Sequence, residues 1–166
     1  MPAPTELLLP KKDPLETVTL EDGTKVTRDK DGGYTQVNPT GVIIRQFADG
    51  STKQTNPDGT MIEVSADGSR TIQVNPDGTR FESFGGETIT CFPDGIILKD
   101  LGNGEKHQTN PDGVSIHTYP DGKKVQKDIN SSVEITVYPD GNVDQIDTAT
   151  GKHVHVAPDG TVTQNA

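Results

Sequence analysis

Residues 56–80 read NPDGTMIEVSADGSRTIQVNPDGTR, and three Asp-Gly pairs punctuate them: Asp58-Gly59, Asp67-Gly68 and Asp77-Gly78. Between the pairs lie short stretches of Thr, Val, Ile and polar residues. Asp-Gly flanked by alternating polar and β-branched residues is a strong hairpin signal. The same beat runs outward in both directions, through Gly23, Gly32, Gly41 and Gly50 and then Gly86, Gly95, Gly104, Gly113, Gly122, Gly141, Gly151 and Gly160. Steps are nine residues, give or take one, and Ser131 occupies the one missing beat. Punctuation at a fixed interval marks a repeat architecture. No stretch carries sustained helical periodicity.

Seven of the turns are Pro-Asp-Gly, ending at Gly59, Gly78, Gly95, Gly113, Gly122, Gly141 and Gly160. Proline fixes φ near −65° and has no N–H, so it suits the second position of a type I turn. Asp follows, and Gly takes the left-handed position. The result is a three-residue loop with a G1 bulge, which leaves six residues per strand. In that register the strand 60–65 places Thr60, Ile62 and Val64 on one side and Met61, Glu63 and Ser65 on the other. The strands 51–56 and 105–110 are polar throughout. Neither face is continuously apolar, as a sandwich or barrel requires. The expectation is an all-β, single-layer antiparallel β-meander, wet on both faces, of about fifteen strands at ~4.8 Å spacing. A calcium-binding β-roll shares the period of nine, but it needs G-G-x-G-x-D in each repeat.

Composition agrees. Apolar residues make up 29% of the chain and Trp is absent, too little for an ordinary core. Disorder would follow from such a composition, but the fixed interval of Pro-Asp-Gly argues for order. The net charge is −10, yet eleven of the 25 acidic residues are turn Asp, so the strands are nearly neutral. No basic stripe offers itself to phosphates, which counts against nucleic acid. Cys91 is alone, which excludes an internal disulfide and favours a reducing compartment. Neither a signal peptide nor a membrane span is expected, since the Leu7-Leu8-Leu9 run is short and flanked by Glu6 and Pro10. Residues 1–14 carry Pro2, Pro4, Pro10 and Pro14 and read as an extended Pro-rich tail; residues 15–166 read as the repetitive β-sheet domain.

The units NPDGT (56–60), NPDGTR (75–80), CFPDG (91–95), TYPDG (118–122) and VYPDG (137–141) resemble the T-complex-protein C-terminal (G-box) domain family, found at the end of the centriole-assembly protein CPAP (centromere protein J). The resemblance covers roughly residues 17–166. It implies a free-standing antiparallel sheet, no enzyme activity, a place in centriole, cilium or microtubule assembly in the cytoplasm, and a short Pro-rich segment of a partner as ligand. The chain departs from the pattern in lacking a long coiled-coil region and in having fewer aromatics and lysines, which bears on the partner more than on the fold.

Turns fall on two edges alternately. The residue before each loop on one edge is Phe47, Ser65, Phe84, Leu101, Tyr119 and Tyr138; on the other it is Asn38, Asn56, Asn75, Phe92 and Asn110. Asn at that place is ordinary turn chemistry. The large apolar series lies on alternate strands of one face, about 9.6 Å apart. A polyproline-II segment repeats every ~9.3 Å. Such a segment laid across the strands would seat a proline between successive rungs, the physics of Pro-rich recognition. Glu87 and Glu105, the first residues of the following strands, are placed to meet a basic residue of that segment. The candidate partner-binding residues are therefore Phe47, Phe84, Glu87, Leu101, Glu105, Tyr119 and Tyr138. The competing readings give these aromatics a purely structural part, in a rigid spacer, a self-assembling β-ribbon or a bacterial surface repeat protein. Open first and last strands predict head-to-tail self-association. His107 lies opposite His117, and His153 shares a face with His155; two histidines without cysteine make a poor zinc site. No cofactor, metal or catalytic group is expected.

Overall fold

The computed structural model describes residues 16–165; the tail assigned to residues 1–14 lies outside them. The described chain is all-β, an antiparallel meander in one layer. It divides into two compact units at Gly78/Thr79, inside a turn.

The first unit holds β1 (Thr17–Thr19), β2 (Lys25–Arg28), β3 (Tyr34–Val37), β4 (Ile43–Gln46), β5 (Thr52–Thr55), β6 (Met61–Val64) and β7 (Arg70–Val74), each paired with the next. The second holds β8 (Arg80–Phe84), β9 (Glu87–Cys91), β10 (Ile97–Asp100), β11 (Lys106–Thr109), β12 (Val114–Thr118), β13 (Lys124–Asp128), β14 (Val133–Val137), β15 (Val143–Asp147), β16 (His153–Val156) and β17 (Val162–Asn165), again paired in order. The seventeen strands exceed the estimate of about fifteen because fifteen glycines and Ser131 all mark turns. Ladder-paired strands run three to five residues rather than six, since the end residues of each repeat belong to the loops.

Turn chemistry accounts for the regularity. Tyr119 O accepts the Gly122 N–H at 2.9 Å, and Tyr119 gives its own N–H to Lys123 O at 2.8 Å, the bonding of a three-residue loop with a G1 bulge. Gly122 has φ +88°, which an L side chain resists. The Asp carboxylate accepts the N–H of the residue after the glycine, as in Thr60 N to Asp58 Oδ1 at 2.8 Å. That hydrogen bond holds the Asp58 carboxyl below its ordinary range. The proline has a second job, because its ring sits over the glycine of the preceding turn on its edge. A Cβ on Gly95 would lie 2.9 Å from Pro111 Cγ. Pro and Gly are thus coupled from turn to turn, not only within one.

Four loops depart from the rule, and those joining Ser65 to Arg70 and Asp147 to Lys152 each hold four residues. Gly85 and Gly86, at φ +61° and +86°, make a two-residue hairpin between Phe84 and Glu87. Where Ser131 replaces glycine, the loop after Asp128 leans sideways, and Ile129 gives its N–H to Gly113 O at 3.1 Å. Ile129 is left 85% exposed.

No core forms. Val26 is the one buried hydrophobic residue among those described, and no large side chain is fully enclosed. What holds the sheet is the backbone ladder plus cross-strand side-chain pairs, worth about 0.2–1 kcal/mol each.

Candidate docking face

Ladder register sorts every side chain to one of two faces. On the first, residues one strand apart form a row Val26–Gln36–Ile44–Gln54–Ile62–Gln73 in the first unit. The second unit repeats it as Leu98–Gln108–Ile116–Gln126–Ile135–Gln145–Val154–Gln164. An aliphatic residue thus alternates with glutamine along this amide face. Gln36, Gln54, Gln73 and Gln108 each donate Nε2 to the Asn Oδ1 two residues on, at 2.7–2.8 Å. The Asn side chains before the loops are therefore spent on glutamine, not on turn backbone as expected. The sequence reading misses this pairing, although its signal is present as Q-x-N at 36–38, 54–56, 73–75 and 108–110.

The opposite face carries the candidate residues. In the first unit that face bears Phe47; in the second, the face opposite its own row bears Phe84, Leu101, Tyr119 and Tyr138, with Glu87 and Glu105. In the second unit four rungs occur on alternate strand ends: Phe84, Leu101, Tyr119, Tyr138. Phe84 is 59% exposed; the other three are half-buried. In the first unit Phe47 is the single aromatic rung, and Ser65 takes the next place. Arg45 stacks on Phe47 at 4.7 Å from the ring centroid while its guanidinium reaches Asp29 and Asp31 at 3.3 and 2.7 Å. Beside it Lys53 pairs with Glu63 at 2.8 Å.

Side chains behind the rungs fix their orientation. His107 packs on His117 with centroids 3.9 Å apart, and His117 stacks on Tyr119 at 4.0 Å. The Lys123 ammonium covers the Tyr119 ring at 4.1 Å. The Tyr138 hydroxyl donates to Asp144, which raises the phenol's pKa. Asp144 also meets His155 Nδ1 at 2.7 Å and His153 Nε2 at 3.0 Å, and these contacts, His155 first, hold its carboxyl below the ordinary range. Between Tyr119 and Tyr138 lies an open groove of ≈ 430 Å³ with Val125 and Thr136 beneath it. The first unit offers ≈ 260 Å³ beside Phe47 and Ser65.

The two acids differ. Glu87 is engaged by Lys99 Nζ at 2.8 Å. Among the described residues Glu105 meets only the Asn103 amide at 3.3 Å and His117 Nε2 at 3.6 Å. Among the described residues no cluster of three or more His, Cys, Asp or Glu is set to hold a metal ion.

The sheet has no core, and in its second unit large side chains stand on alternate strands of one face. The chain has the fold of the TCP10, or G-box, domain. It is similar to the solved TCP10 domain of CPAP from Danio rerio, at TM-score 0.72 and 24% identity over 90% of this chain and 93% of that one. It is similar also to the CPAP G-box domain solved in a study suggesting a role in centriole elongation, at TM-score 0.66 and 23% identity over 91% and 97% of the two chains. A third neighbour is the Danio rerio TCP10 domain in complex with a peptide of STIL from the same fish, at TM-score 0.54 and 24% identity over 91% and 93%. No family model matches the chain. No curated protein matches it either.

Proposed function

We propose that this chain is a non-enzymatic scaffold domain of centriole or cilium assembly in the cytoplasm, and that its aromatic face docks a Pro-rich segment of a cytoskeletal partner. The observation that carries the reading is the row Phe84, Leu101, Tyr119 and Tyr138. These are large side chains left half-exposed or exposed on one face, at a spacing of about 9.6 Å. Three residues of polyproline II span ~9.3 Å, so successive prolines fall into successive gaps. Glu105 supplies a carboxylate for a basic residue of the same segment. The peptide-bound state of the similar fish domain supports the docking of a peptide, and the elongation role suggested for the similar G-box domain supports the setting.

The test is a titration of the full chain with a synthetic Pro-rich peptide bearing one arginine. Binding that is lost in Leu101→Ala and Tyr119→Ala, with circular dichroism unchanged, supports the reading; wild-type affinity in both variants refutes it. Self-association is a second reading favoured by one observation. The outer backbone edge of β17 has no ladder partner among the described residues, and such an edge recruits another strand. Sedimentation should show concentration-dependent oligomers that Gln164→Pro, which removes an outward-facing N–H of β17, abolishes; a monomer at every concentration counts against it.

A further inference from the structure

We propose that Lys123 is an acid-binding subsite. The docked segment then carries an Asp or Glu three residues from the basic residue that meets Glu105. This inference rests on the docking reading above and adds a second charge of opposite sign to it.

On the aromatic face of the second unit the other cations already hold carboxylates. Arg80 pairs with Glu82 at 2.6 Å, Lys99 with Glu87 at 2.8 Å, and Lys127 with Glu134 at 2.9 Å. Lys123 has none within ion-pair reach among the described residues; its ammonium rests on the Tyr119 ring. Glu105 is the mirror case, with an amide and an imidazole but no Lys or Arg. A spare anion and a spare cation thus share one face.

Their positions match a ligand repeat. Leu101 N–H bonds Glu105 O at 3.0 Å, and Tyr119 N–H bonds Lys123 O at 2.8 Å. Both residues therefore sit at the same level, as closing partners of successive rungs. They stand two strands apart, about 9.6 Å, with Tyr119 between them. One turn of polyproline II is ~9.3 Å. A ligand that puts a guanidinium over Glu105 puts its residue three places along beside Lys123, at the mouth of the groove lined by Tyr119 and Tyr138. An acid there satisfies the lysine; a lysine there is repelled. A nearly two-fold polyproline backbone has little sense of direction, so this pair of charges also sets which way the segment runs.

The experiment uses three Pro-rich peptides with a fixed arginine. The residue three places along is Asp, Ala or Lys, and a fourth peptide moves the Asp to two places along. Each is titrated against the full chain, Lys123→Gln and Lys123→Glu at low and high salt. Wild type should prefer Asp over Ala over Lys by up to about fivefold per step, the reach of a half-exposed ion pair, and salt should shrink the steps. Lys123→Gln should flatten the order and Lys123→Glu should reverse it. Shifting the Asp out of register should remove its advantage. An order unchanged in Lys123→Glu, with Tyr119→Ala still abolishing binding, overturns the acid subsite and leaves the docking reading standing. No binding of any peptide to wild type overturns both.

Discussion

The two units share a backbone rule and differ in what they display on it. Both are built from the same hairpins, the same Asp-capped loops and the same Ile–Gln rows. Yet the aromatic face of the first has one rung, Phe47, and then a ring of charges, Arg45 with Asp29 and Asp31, and Lys53 with Glu63. That of the second has Phe84, Leu101, Tyr119 and Tyr138 in unbroken succession. Between them stand Glu105, which no Lys or Arg engages, and Lys123, which no carboxylate engages among the described residues. Since the amide face and the turns are common to both, they belong to the fold. What varies between the units is free to carry recognition.

The largest effect expected separates common framework from variable surface. Gly102 has φ +73°, and a Cβ on it would stand 2.4 Å from Gly86 O, so backbone must move. Gly102→Ala should cost on the order of 3 kcal/mol, the left-handed strain plus overpacking. Gly68 in the first unit has φ +71° but open space around it, so Gly68→Ala should cost only about 1 kcal/mol. Denaturant midpoints of the two variants check this; equal losses would mean that strain alone, not close approach, makes these glycines necessary.

Next comes binding. Leu101→Ala and Tyr119→Ala should each weaken a Pro-rich peptide by about 2 kcal/mol or more, as truncating an interface anchor does. Phe47→Ala, an isolated rung, should cost less than about 1 kcal/mol, near the level of an energetically neutral contact. Equal losses at Phe47 and Tyr119 would erase the distinction between the units as docking surfaces.

Acid should act on both units alike. Ser65 and Ser69 hold the Asp67 carboxyl down to about 2, and Ser132, Thr150 and Ala149 do the same for Asp147. A carboxyl depressed on folding stabilises the fold above its unfolded value, near 3.9, and that stabilisation disappears as pH falls through the folded value. The sheet should therefore hold at about pH 5 and lose stability from about pH 4 to about pH 2. Amide signals of β6 and β15 followed by NMR should fade over the same window; a loss confined to one unit would show that the turns are not equivalent.

The smallest effect is on the amide face. Gln54 donates to Asn56 at 2.7 Å in a half-buried setting. Gln54→Ala and Asn56→Ala should each cost about 0.5–1.5 kcal/mol in thermal unfolding, with little extra in the double variant, and neither should change peptide affinity.

Much of the fold is legible in the sequence because the local signals are strong. Pro-Asp-Gly dictates loop length and so register, and register alone places Phe84, Leu101, Tyr119 and Tyr138 on one face and His107 opposite His117. What stays hidden depends on cross-strand chemistry. The Gln–Asn bonds follow from side-chain reach, not from turn type, whereas Asn before a loop reads in sequence as a turn former. The departure at Ser131 is visible as a missed beat, but not that Ile129 gives its N–H to Gly113 of the adjoining turn. Lys123 is equally silent in the sequence, because a cation becomes available only when its neighbours' partners are known, here Lys99 with Glu87 and Lys127 with Glu134.

The most direct test is side-chain NMR of the full chain titrated with the arginine-bearing Pro-rich peptide. The methyls of Leu101 and Val125 and the rings of Tyr119 and Tyr138 should shift, while the methyls of Ile116 and Ile135, on the opposite face of the same sheet, stay in place. Shifts centred on Ile116 and Ile135, or no shift on either face at saturating peptide, would contradict the aromatic face as the docking surface.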